Sequence, residues 1–158
     1  MKIPGKKSWL PWLLLCLCIA ACTLFIWGNS SLPASQSAMR SRQLLSHLWA
    51  VFDYFEVPTA VRHTMLRKLA HVAEFALLGT VWTAALLRCR RWRLPVRLAA
   101  ACGVCLLTAL LDETIQRFSP GRGSMLRDVW IDCAGSTAGM MLALAGYGLW
   151  RWGRGGRR

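Results

Sequence analysis

Residues 9–27 read WLPWLLLCLCIAACTLFIW and carry no charged side chain. The hydrocarbon core of a bilayer is about 30 Å thick, and about 20 apolar residues in helical form cross it with their backbone hydrogen bonds satisfied. This stretch is therefore predicted to span a membrane. Three later stretches have a similar length and composition: residues 69–87, 94–111 and 129–150. The sequence predicts an all-α fold, a four-span transmembrane helical bundle.

The charged residues are divided unequally between the two ends of these spans. The chain has 20 Lys and Arg against 7 Asp and Glu, a formal net charge of +13. One side holds basic residues and no acid, in the N-terminal segment 1–8, the loop 88–93, nearby Arg97 and the tail 151–158. By the positive-inside rule both termini are cytoplasmic, and segments 28–68 and 112–128 are outer loops. Because the basic residues flank spans instead of forming one surface, no binding of nucleic acid is expected.

The start of the chain also fits a second interpretation. Lysines, an apolar run and Ile19-Ala20-Ala21-Cys22 look like a lipoprotein signal that is cleaved before a lipidated cysteine. The apolar run continues to Trp27, however, where a mature lipoprotein normally becomes polar. An uncleaved first span is the preferred interpretation, and lipidation of Cys22 stays open.

The first outer loop contains a segment with helical periodicity, residues 42–55. Its apolar side chains share one arc of a helical wheel: Leu44, Leu45, Leu48, Trp49, Val51, Phe52 and Phe55. The pattern predicts an interfacial amphipathic helix that lies flat on the outer leaflet or caps the bundle. Packing on the other helices for stability alone explains it equally well.

Ionisable and amide side chains are concentrated at the outer ends of three spans. The second span carries Lys68, His71 and Glu74 within an arc of about 120°. The other members of the predicted cluster are Asp112, Glu113 and Gln116 after the third span, Arg122 in the following turn, and Asp128 and Asp132 at the start of the fourth. Charges inside a bilayer are costly unless paired, so these residues are expected to meet in a common pocket beneath the outer surface.

The fourth span also carries the pair Gly135-x-x-x-Gly139 on the face that holds the two aspartates. Small residues at this spacing let helix backbones approach closely in lipid. The two glycines are therefore predicted to be helix-packing residues, and the aspartates above them are expected to face the bundle interior.

In order and spacing, these motifs resemble the VanZ-like family over residues of about 30–150. The matching motifs are Arg67-Lys68-x-x-His71-x-x-Glu74-Phe75, Asp112-Glu113-x-x-Gln116, Pro120-Gly121-Arg122 and Asp128-Val129-x-x-Asp132-x-x-Gly135-x-x-x-Gly139. The resemblance implies a multi-pass protein of the bacterial inner (plasma) membrane that belongs to the cell envelope. The family's namesake is associated with low-level resistance to the glycopeptide teicoplanin, and the resemblance implies no agreed enzymatic reaction.

Three functions remain open for the cluster. Its cations and acids could recognise a polar or anionic lipid-linked envelope component, such as a cell-wall precursor, or a glycopeptide. His71 and the neighbouring acids could instead catalyse a reaction on a lipid headgroup. The cluster could also be a network of ion pairs and hydrogen bonds that only fixes helix packing. Membrane lipids are expected partners in each case, and the oligomeric state is undetermined.

No cofactor and no metal ion is expected from the sequence. His71-x-x-Glu74 is one short pair of potential ligands, and the neighbouring Lys68 disfavours a cation.

Transport is a weaker alternative, because four spans would have to oligomerise to build a pathway.

Overall fold

Six α-helices form the regular secondary structure of residues 9–44, 46–89, 91–123 and 125–155, which the computed structural model describes. In chain order they are α1 (Leu10–Ser30), α2 (Ala34–Leu44), α3 (His47–Tyr54), α4 (Thr59–Arg88), α5 (Leu94–Arg117) and α6 (Leu126–Gly155). The all-α prediction is confirmed.

Four of these helices are long and apolar enough to cross a membrane. The candidate spans are Leu10–Ser30, Val61–Arg88, Leu94–Arg117 and Leu126–Gly155. All of them extend beyond the apolar stretches of the sequence, so residues 112–117, which were assigned to the second outer loop, are helical. A helix ends where its backbone hydrogen bonds stop, and polarity alone does not stop them. α5 ends at the turn that contains Pro120 and Gly121, and the φ of +72° at Gly121 suits a residue without a Cβ.

α1, α4, α5 and α6 form the bundle, and its two ends differ in composition. The C-terminal ends of α1 and α5 and the N-terminal halves of α4 and α6 make up one end, here called the polar end. The opposite, basic end carries Arg88, Arg91, Arg93, Arg151 and Arg154. This division places the predicted polar residues of three helices at the same height in the bundle.

α4 and α6 pack most closely, because glycines remove the side chains between them. A Cβ added to Gly79 or Gly139 would overlap the backbone of Ser136 or Ala76, and one added to Gly135 would lie 2.6 Å from the Val72 carbonyl oxygen. The Thr80 hydroxyl lies 2.8 Å from the Ala76 carbonyl oxygen and 3.0 Å from the Gly139 carbonyl oxygen, and can donate to either. Gly79 on α4 lies in the same interface as Gly135 and Gly139, the two residues predicted to pack.

The distribution of side chains is that of a protein in lipid. Large apolar residues point outward along the spans, among them Leu14, Leu17, Leu24, Leu107 and Leu142. Polar residues, by contrast, are buried between the helices. Such an exposed apolar surface is uncommon in a soluble monomer and is expected where the surrounding medium is hydrocarbon. The chain is a multi-pass membrane protein.

The segment between α1 and α4 differs from the single helix predicted for residues 42–55. It contains two short helices, α2 and α3, and Ser46, which precedes α3, makes no side-chain capping hydrogen bond. α2 packs against α4, and the Ala34 amide donates a 3.1 Å hydrogen bond to the Pro120 carbonyl oxygen. Phe52 is buried whereas Val51 and Phe55 are exposed, and Leu45 lies outside the described residues.

Candidate functional site

The polar residues predicted from the sequence are brought together inside the polar end. Three of the nine are partly buried, Lys68, Glu74 and Asp128, and the other six are buried: His71, Asp112, Glu113, Gln116, Arg122 and Asp132. They come from α4, α5, α6 and the turn between α5 and α6. We refer to these nine residues as the polar cluster.

His71 lies at the centre of the polar cluster. Its Nδ1 atom is 4.0 Å from Glu74 Oε2, 3.9 Å from Asp112 Oδ2 and 3.9 Å from Asp132 Oδ1. These distances exceed a hydrogen bond, and neither ring nitrogen has a hydrogen-bond partner among the described residues. The side chain is 9% exposed. One imidazole thus faces carboxylates from three helices without direct contact with any of them.

Amide and backbone donors hold the surrounding carboxylates in place. Gln116 Nε2 donates to Asp112 Oδ2 at 2.7 Å, one turn along α5. Asn29 Nδ2 donates to Glu74 Oε1 at 3.2 Å, and the Met125 amide donates to Glu113 Oε2 at 2.9 Å. Each of these carboxylates therefore has one oxygen fixed by the protein. Among the described residues, the second oxygen of each lacks a hydrogen-bond partner.

Arg122 supplies a buried positive charge beside these acids. It is 8% exposed, and its Nη2 donates to the Asn29 carbonyl oxygen at 3.1 Å. Burial lowers the pKa of the Arg122 guanidinium and nearby Arg67 acts in the same direction, while Asp112, Glu74 and Glu113 oppose them. An arginine keeps its proton in proteins even so, and Arg122 offsets the negative charge of the cluster.

A second ion pair lies at the edge of the cluster. Lys68 Nζ is 3.1 Å from Asp128 Oδ1, and both side chains are partly accessible. Lys68 thus forms an ion pair with an acid of α6 that also belongs to the cluster. The predicted proximity of Lys68, His71 and Glu74 on α4 holds, but Lys68 pairs with Asp128, one turn before the central Asp132.

The sequence analysis missed the contribution of α1. Asn29 and Ser30 are buried at the end of α1, where they contact Glu74, Arg122 and Ser119, yet their positions were assigned to the outer loop. Ser119, in the turn that follows α5, is also buried and donates to the Ser30 carbonyl oxygen at 2.7 Å. The available signal was phase, because Asn29 lies three residues after the buried Ile26 and so shares its helix face.

Glu74 borders an apolar cavity of about 220 Å³, and two further cavities of different size adjoin the cluster. The first, of about 10 Å³, is lined by Arg67, Lys68, His71, Gln116, Asp128, Ile131 and Asp132, and has room for about one water molecule or ion. The second, of about 400 Å³, lies between α5 and α6 and is lined by Leu110, Glu113, Thr114, Arg117, Phe118, Leu126 and Val129. Glu113 belongs to both the cluster and the wall of the larger cavity.

The arrangement of helices and polar motifs agrees with a comparison to known protein families. The family model described as VanZ/LLP1 matches residues 12–150. The chain belongs to the VanZ/LLP1 family. No curated protein and no solved structure matches it. The match begins within α1, so the family domain of this VanZ/LLP1 protein includes most of that helix, which provides Asn29 and Ser30. The resemblance over about 30–150 had left almost all of α1 out of the domain.

Proposed function

We propose that this VanZ/LLP1 protein binds the phosphate-bearing headgroup of a lipid-linked envelope component at the outer face of the bacterial inner membrane. The observation that carries the proposal is the amphipathic cavity of about 400 Å³ between α5 and α6. Its size lies within the range of small-molecule sites. The cavity is at the polar end and borders the polar cluster through Glu113.

The lining of this cavity is suited to a lipid with a charged head. Leu110, Leu126, Val129 and Phe118 offer apolar surface for an acyl or prenyl chain. Arg117, exposed in the last turn of α5, offers a guanidinium, whose planar donors can bind two phosphate oxygens at once. Thr114 and Glu113 add a hydroxyl and a carboxylate for sugar or amide donors.

Arg117 takes the phosphate contact in this proposal, in place of Lys68 and Arg122. Lys68 is paired with Asp128, Arg122 donates to the Asn29 carbonyl oxygen, and the cavity beside Lys68 has about 10 Å³, too little for a headgroup. Arg122 instead acts indirectly, because its positive charge interacts with Glu113 in the wall of the larger cavity.

The outward orientation follows from the division of charge. The basic end is expected to face the cytoplasm under the positive-inside rule, which directs the polar end toward the compartment where lipid-linked cell-wall precursors are used.

Lipid retention by purified protein tests the binding. Protein in mild detergent is incubated with a polyprenyl phosphate or with phosphatidylglycerol, and retained lipid is measured by mass spectrometry. Arg117→Gln is expected to reduce retention of the preferred lipid about tenfold, equivalent to about 1.4 kcal/mol. Arg127→Gln, a change of another exposed arginine outside the cavity, is the matched control. Equal retention by the wild type and Arg117→Gln contradicts the proposal.

A link to glycopeptide resistance is part of the same proposal and has its own test. Expression of the wild-type chain in a teicoplanin-sensitive Gram-positive host is expected to raise the inhibitory concentration, and Arg117→Gln is expected to remove that increase at equal membrane levels. If the wild-type chain leaves the inhibitory concentration unchanged, the proposed link to drug resistance is wrong and lipid binding stands apart from it.

Catalysis on the same headgroup is the second candidate function. It is favoured by the position of His71, within about 4 Å of three carboxylates that could serve with it as general acid and base. Mass spectrometry of the lipid after incubation distinguishes the two functions, since a catalyst changes the mass of the lipid and a binding protein returns it unaltered.

A further inference from the structure

We propose that His71, Asp112 and Asp132 bind one divalent transition-metal ion, with Glu74 as a fourth donor. The site would lie between α4, α5 and α6, inside the polar cluster. It does not depend on the lipid-binding proposal, because none of these four residues lines the larger cavity.

The separations of His71 Nδ1 from the two aspartate oxygens match those of donors that share an ion. Ligand atoms of His71, Asp112 and Asp132 all lie within 4.8 Å of one another, and His71 Nδ1 is 3.9 Å from an oxygen of each aspartate. Donors that each lie about 2.1 Å from one ion are about 3–4 Å apart. The 3.9 Å spacing is too long for direct hydrogen bonds and fits an ion between the donors.

The unpartnered state of His71 points independently to a ligand. The His71 side chain is 9% exposed, and both ring nitrogens lack a hydrogen-bond partner among the described residues. Asp112, at 0% exposure, has an unpartnered Oδ1, and Glu74 has an unpartnered Oε2. A buried polar atom without a hydrogen-bond partner destabilises the fold, and a bound cation would satisfy several such atoms together.

The local charge also favours a divalent cation. Among the described residues of this region, five carboxylates (Glu74, Asp112, Glu113, Asp128 and Asp132) face three cations (Arg67, Lys68 and Arg122). Their formal sum leaves two negative charges, which one divalent ion balances. The expectation of no metal rested partly on Lys68, but that ammonium is paired with Asp128, 3.1 Å away.

The donor types narrow the choice of ion. One imidazole with carboxylates suits Zn²⁺ or Mn²⁺, whereas Ca²⁺ and Mg²⁺ prefer oxygen ligands alone and Cu⁺ prefers sulfur. The cavity of about 10 Å³ bordered by His71 and Asp132 offers space for an ion or one water, too little for a headgroup.

Metal titration of the purified full chain tests the site. Protein without a polyhistidine tag is stripped with a chelator and titrated with Zn²⁺ and with Mn²⁺ by calorimetry. We expect one ion per chain, with binding about a hundredfold weaker or lost in Asp132→Asn and His71→Ala. Glu56→Gln, which removes an exposed carboxylate outside the polar cluster, is expected to bind as the wild type does.

Two measurements on the wild type keep the test decisive if a variant fails to fold. Saturating metal is expected to raise Tm by about 5–10 °C over chelator-treated protein. Co²⁺ is expected to give visible absorption bands of a low-symmetry nitrogen and oxygen site, which Zn²⁺ displaces. Folded protein that binds neither Zn²⁺ nor Mn²⁺, or that binds them equally well in Asp132→Asn, overturns the proposal, whether or not the chain binds lipid.

Discussion

At the scale of single residues, Arg122 is the cation on which the charge balance of the buried cluster depends. It is buried, it donates to the end of α1, and its charge acts on Asp112, Glu74 and Glu113. Removing one partner from a buried group of charges is more costly than losing an exposed ion pair, because the remaining charges stay out of water.

Arg122→Met is therefore expected to lower the free energy of unfolding by about 3–5 kcal/mol. Thermal unfolding in detergent measures the effect. Arg127→Met, at an exposed arginine of α6, is expected to change it by at most about 0.5 kcal/mol. Equal stability of the two variants would show that the buried guanidinium does not balance the cluster.

Asn29 is the residue through which α1 reaches the cluster. Its side-chain amide donates to Glu74, and its carbonyl oxygen accepts from Arg122. Asn29→Ala removes the first bond and keeps the second, so a loss of about 1–3 kcal/mol is expected from the buried carboxylate left without its donor. Ser31→Ala, at an exposed position two residues on, is the control in the same unfolding measurement.

At the scale of elements, the contact between α4 and α6 is set by backbone approach. Glycines at 79, 135 and 139 bring the two helices together, and the Thr80 hydroxyl lies within hydrogen-bond distance of both backbones. Van der Waals packing of this kind replaces the hydrophobic drive that is missing between helices in lipid. The same pairing fixes the positions of His71 and Asp132 relative to each other.

Gly139→Ala is expected to destabilise the bundle by about 1–3 kcal/mol, because the added methyl group meets the backbone of Ala76. Gly146→Ala on the same helix meets no atom within 4 Å and is expected to be neutral or to stabilise by up to about 1 kcal/mol, the gain in helix propensity. Unfolding in detergent measures the change in the free energy of unfolding, which is expected to be a loss for Gly139→Ala and no change or a gain for Gly146→Ala. A similar loss in both variants would contradict the packing role of Gly139, because helix propensity alone predicts a gain at both positions.

Hydropathy located the four long helices but not their ends. The apolar runs stop at the first charges, whereas α4 begins at Thr59 and α5 continues to Arg117. In a water-soluble helix such charges would be exposed, whereas Asp112 and Glu113 of α5 are buried here, each with one oxygen held by a donor of the protein. The helical wheel of residues 42–55 assumed one continuous helix, and the break before His47 follows from no strong signal in that stretch.

At the scale of the whole molecule, the asymmetry of charge predicts the orientation in the membrane. Both described ends of the chain lie at the basic end, and the turn between α5 and α6 lies at the polar end. A fluorescent protein fused to the C terminus is expected to be cytoplasmic and bright. In a cysteine-free variant, Gly123→Cys is expected to react with an impermeant thiol reagent added from outside. Labelling from the cytoplasmic side alone would reverse the orientation.

The membership of the polar cluster was predictable, and its internal pairing was not. Helical phase placed His71 and Asp132 on inward faces, since a charge directed toward lipid is costly, whereas Asp112 was assigned to the outer loop. Helical phase does not predict which acid pairs with which base. Residues on different helices pair according to the distance between the helices and the positions of the residues along the helix axes. The pairing of Lys68 with Asp128, the role of Asn29 and the separation of the two cavities all depend on those quantities.

The glycine contact between α4 and α6 has a consequence for how the sequence can diverge. Gly79, Gly135 and Gly139 have no room for a single additional carbon atom, while apolar residues on the outer surface of the same helices, such as Leu77 and Leu142, touch little else. In a saturation-mutagenesis library selected for membrane abundance, the three glycine positions should tolerate almost no replacement. The outward-facing positions should accept any apolar residue. The tolerance map alone would reveal which two helices are partners.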